Sequence, residues 1–375
     1  ATAVGGFSKD HMAAFDPNAM GGFDKGHMAG FDATAVGGFN MDHMAAFDPN
    51  AMGGFNMDHM KAFDPTAMGG FNAGHFGTMA ATMMEAFDSE RIENFDPAAM
   101  GGFGMDHMKA FDPAAMGGFG MDHMKAFDPT AVGGFGMDHM KAFDPSAVGG
   151  FGKDHMAGFD PTAVGGFDMD HMKAFDPTAV GGFDKDHMAG FEPTAVVGFD
   201  KDHMAGFEPT AVVGFDKDHV AEFDFEAMEG FEKDHIANFD PEAVVGFERG
   251  HVVGMDLGAM TGFEHDQVKN LNVEAKVGFG DKVPVFEDFS VEIRLELVDE
   301  SEMLLGGVGA FDDLAKLAVA DPATIDAAEL KELGWDKAAE LIAKIESIEM
   351  GKEAAPITVP DDAAAKALAA FAATQ

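Results

Sequence analysis

A phenylalanine recurs at every eighth residue over most of this chain, and that spacing limits the possible folds more than any other feature. The series starts at Phe7 and Phe15 and reaches Phe263, with methionine at two steps, Met79 and Met255. A second apolar residue, in most cases Met or Val, follows each step by five residues. Repetition at a fixed period indicates stacked, nearly identical units, so the architecture is inferred from the unit.

Two kinds of eight-residue unit alternate, which gives a sequence period of sixteen residues. The Pro octad reads Phe-Asp-Pro-Thr-Ala-Val-Gly-Gly at residues 127–134, and the His octad reads Phe-Gly-Met-Asp-His-Met-Lys-Ala at 119–126. Positions are numbered from 1, the Phe, to 8. A continuous helix would let the apolar stripe drift by about 80° per octad. In a strand, positions 1 and 6 would lie on opposite faces.

A separate short helix in each octad does fit the pattern. In the Pro octad at 15–22, Asp16 is the predicted N-cap, Pro17 the first helical residue, and Phe15 packs on Met20 as a hydrophobic staple. The Gly-Gly pair is predicted to end the helix through a left-handed turn. In the first His octad Ser8 is the predicted cap, and the helix is expected to run longer because no Gly-Gly pair follows.

Helices of one or two turns are unstable alone in water, so these units must stack on one another. The sequence therefore predicts a mostly α-helical solenoid of eight-residue units, with Phe, Met and Val inside and Asp, Lys, Asn and Thr outside. We expect one coil per sixteen residues, matching the sequence period.

The octads resemble a known type of tandem repeat. Phe-Asp-Pro-Thr-Ala-Val-Gly-Gly at 175–182 is similar, position by position, to the Leu-Thr-Pro-Glu-Gln-Val-Ala-Ala repeats of large bacterial surface and secreted proteins. The resemblance implies a helical repeat architecture, a structural role and an extracellular or cell-surface location in a bacterium.

Composition excludes several classes of partner. Only 24 Lys and Arg face 66 Asp and Glu, a net charge of −42, which argues against nucleic acid and anionic membranes. There is no cysteine and hence no thiol chemistry. No apolar run reaches the roughly 18 residues of a transmembrane helix. No cofactor is predicted; weak binding of divalent cations to the acidic surface is the one ion interaction expected.

Three segments are predicted. Residues 1–271 form the solenoid, residues 272–310 a β-containing transition or cap, and residues 311–375 a helical docking module, so that a small α+β domain follows the repeats. Residues 291–298 alternate with period two, which is typical of a half-buried strand. Trp335 is the predicted assembly contact of the last segment. The chain begins within an octad, and we expect it to be a piece of a longer protein.

Histidine is the one chemically suggestive repeated residue. It recurs every sixteen residues with a single interruption at Arg91, which in a sixteen-residue coil would align the imidazoles along one face. Three interpretations remain open: a structural residue at the third helical position, bonded to a neighbouring coil or to the cap carboxylate; a pH-responsive surface; or a metal or cofactor ladder. The candidate metal ligands are His11, His27, His43, His59, His107, His123, His139 and His155.

Two features weigh against the metal ladder. Packed helices lie roughly 8–10 Å apart, whereas metal–nitrogen bonds are about 2.0–2.1 Å. The neighbouring Met is also replaced by Val220 and Ile236, which a thioether ligand would not tolerate.

The sequence predicts no enzyme, because it has no phosphate loop, dinucleotide fingerprint or nucleophile elbow. The leading hypothesis is a structural repeat protein: a rod, a filament subunit or a surface-layer component that assembles through its solenoid ends and C-terminal domain. The expected partners are further copies, a longer parent chain or a surface anchor. Besides the metal alternative, the degenerate octads at 72–94 could hold a ligand on a repeat scaffold.

Overall fold

The computed structural model describes residues 4–280 and the separate positions Phe289, Ile293 and Leu297. It divides into two compact units, residues 1–214 and residues 215–375, and each is described by itself. The described residues are mostly helical and contain no strand. Within the same residues, no helix combines the length and apolar character needed to cross a bilayer.

Octads in the His phase form short α-helices that begin at position 3 and end before the next position 1. In residues 1–214 they are Lys9–Ala13, Lys25–Met28, Met41–Ala46, Met57–Ala62, Ala73–Thr78, Ser89–Glu93, Met105–Ala110, Met121–Ala126, Met137–Ala142, Lys153–Gly158, Met169–Ala174, Lys185–Gly190 and Lys201–Gly206. In the second unit they are Lys217–Glu222, Lys233–Asn238, Arg249–Gly254 and His265–Asn270, followed by Val273–Gly280.

Octads in the Pro phase form 3-10 helices or single α-helical turns. The 3-10 helices of the first unit are Pro17–Gly22, Pro49–Gly54, Pro65–Gly70, Ala81–Ala86, Pro97–Gly102, Pro113–Gly118, Val164–Gly166, Val180–Gly182, Pro193–Gly198 and Val212–Gly214, and its α-turns are Ala33–Val36, Pro129–Val132 and Pro145–Val148. The second unit has Ala227–Gly230, Ala243–Gly246 and the α-turn Leu257–Met260.

The predicted helix in each octad is confirmed, and so are its caps. The Asp16 carboxylate accepts the Asn18 N–H at 3.0 Å, with Pro17 in the first turn. The Ser8 hydroxyl accepts the His11 N–H in the same way. His-octad helices have four to six residues, most of them six, whereas Pro-octad helices have three to six. The expected difference in length is therefore present where the Pro octad forms a three- or four-residue helix and absent where it forms a six-residue one.

The core consists of positions 1 and 6, as predicted. Phe135 is 1% exposed, and Met140 and Val148 are fully buried. Successive Phe rings meet edge to face: the centroids of Phe127 and Phe135 lie 5.9 Å apart, and those of Phe135 and Phe143 lie 5.1 Å apart. This geometry is favourable for aromatic pairs, so the Phe series forms one continuous aromatic core within each unit.

The predicted sixteen-residue coil is wrong, because one coil contains three octads, or 24 residues. In the first unit, the ring centroids of Phe39 and Phe63, 24 residues apart, are separated by 6.4 Å. Helix Met41–Ala46 packs on Pro17–Gly22 of the coil before it and on Pro65–Gly70 of the coil after it. The sixteen-residue sequence period reflects only the alternation of the two octad types. The number of octads in one coil depends instead on the angle between successive helices.

An odd number of octads per coil has a packing consequence. Because the two types alternate, a His octad is stacked between Pro octads of the adjacent coils, as Met169–Ala174 is between Pro145–Val148 and Pro193–Gly198. At position 5, the bulky His of one octad therefore lies against octads that carry a small buried residue there, such as Ala147, which is 1% exposed.

Glycine at position 8 of the Pro octad serves close approach, and the predicted left-handed turn is wrong. None of the described glycines has a backbone φ in the left-handed range. A Cβ added to Gly134 would overlap the carbonyl oxygen of Met105 in the preceding coil, and one added to Gly182 would overlap that of Lys153. The missing side chain lets neighbouring coils touch through their backbones.

In the second unit the octad phase continues through helix Val273–Gly280, where Phe279 is fully buried. Ile293 and Leu297 fall within the predicted strand at 291–298, but both are helical and buried. A spacing of four residues fits a strand face and a helix face equally well, and the other residues of 291–298 lie outside the described residues. The remaining predicted elements of the tail lie outside the described residues.

Candidate functional site

The repeated histidine uses both ring nitrogens to join coils. In His155, Nδ1 accepts the Gly152 backbone N–H at 3.0 Å, three residues earlier in the same octad. Its Nε2 lies 3.0 Å from the carbonyl oxygen of Phe127, 28 residues earlier and one coil away. Because a backbone N–H can only donate and a carbonyl can only accept, this pair of bonds requires a neutral ring with its proton on Nε2.

The same two bonds recur along the chain. The Nε2–carbonyl distances all lie between 2.9 and 3.1 Å, always to position 1 of the octad 28 residues back, and the Nδ1 acceptor bond is present in each case. The residues concerned are His43, His59, His75, His107, His123, His139, His155, His171, His187, His203 and, in the second unit, His251. The structural interpretation of histidine, at the third helical position and bonded to a neighbouring coil, is therefore confirmed.

Two replacements show what this position requires. Arg91, which interrupts the histidine series, donates through its guanidinium to the carbonyls of Lys61 and Phe63. Gln267 accepts the Glu264 N–H at 2.8 Å through Oε1 and donates through Nε2 to the Phe239 carbonyl at 2.8 Å. Both keep the donor to position 1 of the previous coil, and Gln267 reproduces both histidine bonds without a titratable group.

The candidate metal ligands do not converge. Consecutive histidines lie two octads apart in a three-octad coil, so they fall on different sides, and the predicted line along one face is wrong. Of the eight, six have both nitrogens bonded to backbone, while His11 and His27 of the first coil accept the Ser8 and Asp24 N–H at 3.0 and 3.2 Å. Across the described parts of the chain, no group of three or more His, Cys, Asp or Glu could hold a metal ion.

The residue that caps the histidine helix varies along the chain, although the histidine bonds do not. Gly is the cap in the segment 103–158 and Asp in the segment 167–206. We call these the Gly-capped and Asp-capped segments. In the Asp-capped segment the carboxylate also reaches the ring: Asp168 Oδ1 lies 2.7 Å from Nδ1 of His171. Sequence reasoning anticipated a bond to the cap carboxylate but missed the division into two segments.

Local environment shifts the pKa of several of these groups. Burial lowers the pKa of His75, although its bond to the Phe47 carbonyl and the nearby Asp48 carboxylate act in the opposite direction. For Asp168, partial burial raises the pKa, but the bonds from His171 outweigh it and hold the pKa below its ordinary value.

Surface lysines occupy one of two alternative positions in the His octads. In the His octads Lys occurs either at position 3 with Ala at position 7, or at position 7 with Met at position 3. Lys153, at position 3, pairs with Glu208 at 2.7 Å across an intervening coil. Bonds from Thr162 lower the pKa of Asp160, and the charge of Lys109, at position 7, lowers it further. Both arrangements therefore bring a lysine towards position 2 of a Pro octad.

The degenerate octads at 72–94 keep the phase and fill the core. Phe76 replaces the usual Met at position 6, is fully buried, and stacks on Phe103 with a centroid distance of 4.2 Å. Met83 and Met84 are buried in the next octad. Apolar contacts occupy the interior of this block, which gives no support to a ligand site there. Trp335, the predicted assembly contact, lies outside the described residues.

The structure places the described chain among tandem-repeat solenoids of very short helices. No protein-family model, curated protein or solved structure matches the sequence. The resemblance to the bacterial octapeptide repeats therefore remains a prediction, although a repeated eight-residue helical unit is present.

Proposed function

We propose that this chain is a structural repeat protein, acting as a rod, filament subunit or surface-layer component at a bacterial cell surface. One observation carries the proposal: the chemically capable residue that the repeat supplies, histidine, has its ring nitrogens committed to the backbone in coil after coil. A residue bonded in this way stabilises stacking and is not free to act on a substrate.

Assembly through solenoid ends is supported by the direction of these bonds. Each of these His octads donates towards the coil that precedes it, and the position 1 carbonyl of a Pro octad accepts from the coil that follows. A coil therefore carries donors on one side and acceptors on the other. Units of this kind can add to one another in one orientation, which gives a heterologous, head-to-tail contact.

Negative-stain electron microscopy of the full chain, with sedimentation at several protein concentrations, would test this proposal. Filaments, sheets or a concentration-dependent mass are expected. Single particles of constant mass at every concentration, with physiological salt present to screen the −42 charge, would contradict it.

The metal-binding alternative lacks a comparable observation. A metal ion at His123 or its equivalents would have to displace a backbone hydrogen bond at 2.9 or 3.0 Å. Elemental analysis of the purified chain is the direct test: stoichiometric metal that is lost with His→Gln substitutions would favour the alternative over the structural proposal.

A further inference from the structure

The Gly-capped and Asp-capped segments differ in what they offer a protonated histidine. His155 is 8% exposed and His171 is 2% exposed, and both donate through Nε2 to a carbonyl of the preceding coil. A second proton must bind Nδ1, the nitrogen that accepts a backbone N–H in both octads. What lies beside Nδ1 therefore decides the cost of protonation.

In the Gly-capped segment, nothing on the cap can receive the new proton. Gly152 presents only its backbone N–H to Nδ1. If Nδ1 of His155 is protonated, its new N–H and the Gly152 N–H point at each other, and little water reaches the site to accept either one. The N–H loses its acceptor and the charged ring gains none, which is costly for buried polar groups.

In the Asp-capped segment, the acceptor is already in place. Asp168 Oδ1, 2.7 Å from Nδ1 of His171, can accept the new N–H in a charge-assisted bond. Such bonds are stronger than neutral ones. The corresponding Oδ1 and Nδ1 atoms are 2.7 Å apart in the octads of His187 and His203. Every histidine of the Asp-capped segment therefore has a carboxylate acceptor beside Nδ1.

The other charges around the two rings are matched. Around His155, its own helix carries Lys153 and Asp154, and the preceding coil contributes Asp128.

Around His171 the helix carries Asp170 and Lys173, and the preceding coil contributes Asp144. Each ring thus has one lysine and one acid on its own helix and one acid on the preceding coil. The cap carboxylate is the charged group that distinguishes the two environments.

We propose that mild acid selectively loosens the coils of residues 103–158, while those of residues 167–206 stay closed, so that the solenoid has a built-in acid-sensitive segment. The segment is a run of four consecutive His octads with Gly caps, and the three that follow it within residues 1–214 have Asp caps. In a repeat protein, where each coil contacts its neighbours, such local opening need not unfold the rest.

Amide hydrogen exchange of the full chain, compared between pH 7 and pH 5 after correction for intrinsic rates, tests this directly. The exchange protection of residues 103–158 is expected to fall at least ten-fold relative to that of residues 167–206. Equal loss of protection in both segments would overturn the proposal.

Two variants separate titration from packing. The fourfold variant Gly104→Asp, Gly120→Asp, Gly136→Asp and Gly152→Asp should make the first segment as acid-resistant as the second. The variant His107→Gln, His123→Gln, His139→Gln and His155→Gln keeps both bonds, as Gln267 does, and should abolish the selective change. If the Gln variant retains the wild-type acid response, histidine is not its source and the proposal fails. Nitrogen chemical shifts of the imidazoles at pH 7 should show Nδ1 unprotonated in the Gly-capped segment, and a protonated Nδ1 there would contradict the proposal.

Discussion

The Gly-capped segment 103–158 and the Asp-capped segment 167–206 share one core and differ on the surface. In both, position 1 is Phe, position 6 is Met or Val, and the histidine bonds span 28 residues. They differ at position 2 of the His octad, whereas lysine occurs at position 3 or position 7 in both. The comparison shows that the same apolar residues and coil-to-coil bonds hold both segments together, so position 2 is free to set the response to pH that we propose.

Replacing a core phenylalanine should cause the largest loss of stability, and the loss should be equal in the two segments. Phe135 and Phe183 are each 1% exposed, and replacing either with Ala should cost about 3–5 kcal/mol of local stability through lost burial and a cavity. Hydrogen exchange over the surrounding coils would measure this. A clear difference between Phe135→Ala and Phe183→Ala would break the comparison, because it would mean that the cores are not equivalent.

The next effect concerns backbone contact between coils. Gly134→Ala and Gly182→Ala would push a Cβ into the carbonyls of Met105 and Lys153, and each should cost about 1–3 kcal/mol through the forced shift. Gly117→Ala is the matched control, since its Cβ would lie 4.0 Å from the nearest atom and should cost nothing. Thermal unfolding of the three variants would measure these costs. The Gly134→Ala and Gly182→Ala variants should melt at lower temperatures than Gly117→Ala, and equal melting temperatures would contradict the prediction.

Removing a histidine should cause the third-largest loss of stability at neutral pH. His155→Ala and His171→Ala leave a cap N–H and a carbonyl of the preceding coil without their partners, which should cost roughly 1–3 kcal/mol. His155→Gln and His171→Gln should cost much less because Gln can make both bonds. Denaturant unfolding at pH 7 would compare them. A Gln variant as unstable as the Ala variant would show that the ring's packing, rather than its bonds, matters.

Burial lowers the pKa of two histidines, His75 and His251, and His75 gives the sign of the pH effect. The pKa of His75 is lowered by burial from 6.5, so the folded chain binds fewer protons there than the unfolded chain. Its stabilising contribution is complete above about pH 6.5 and is lost as the pH falls through the lower folded value. His75→Gln should therefore flatten the stability profile between pH 7 and pH 5 near residue 75, as followed by denaturant unfolding. A profile parallel to that of the wild type would contradict this.

A smaller effect distinguishes the Asp cap itself. Asp168→Ala removes an N-cap bond and should cost about 1 kcal/mol at pH 7. Because the pKa of Asp168 lies below 3.8, this contribution is present above about pH 3.8 and disappears as the pH falls through the folded value. Stability curves of wild type and variant should converge once the pH has fallen through that folded value. Curves that stay parallel as the pH falls below 3.8 would mean that the Asp168 side chain acts through something other than its charge.

The features that depend on residues within one octad could be predicted from the sequence. The Asp16 cap, the Pro17 helix start and the buried Phe and Met or Val positions follow from residue chemistry within one octad. Coil size could not be predicted, because it depends on the angle between successive helices, and no residue reports that angle directly. The role of Gly134 was misassigned for the same reason: its crowding arises from Met105, 29 residues away. Of the strand predicted at 291–298, the structure describes only Ile293 and Leu297, which are helical and whose spacing of four residues fits both periods.

The smallest expected effect tests whether the lysine placement matters. Lys153 and Glu208 form an ion pair at 2.7 Å, but their side chains are 55% and 56% exposed, and pairs of this kind contribute roughly 0–1 kcal/mol. Lys153→Met should therefore change the melting temperature little, and the change should vanish in 1 M salt because screening removes the attraction. Met137 lies against Gly165 as Lys153 lies against Gly181, so the Met variant keeps this contact and removes only the charge. A loss that persists in high salt would mean that the two side chains do not pack equivalently, and position 3 would then belong to coil packing rather than to the surface.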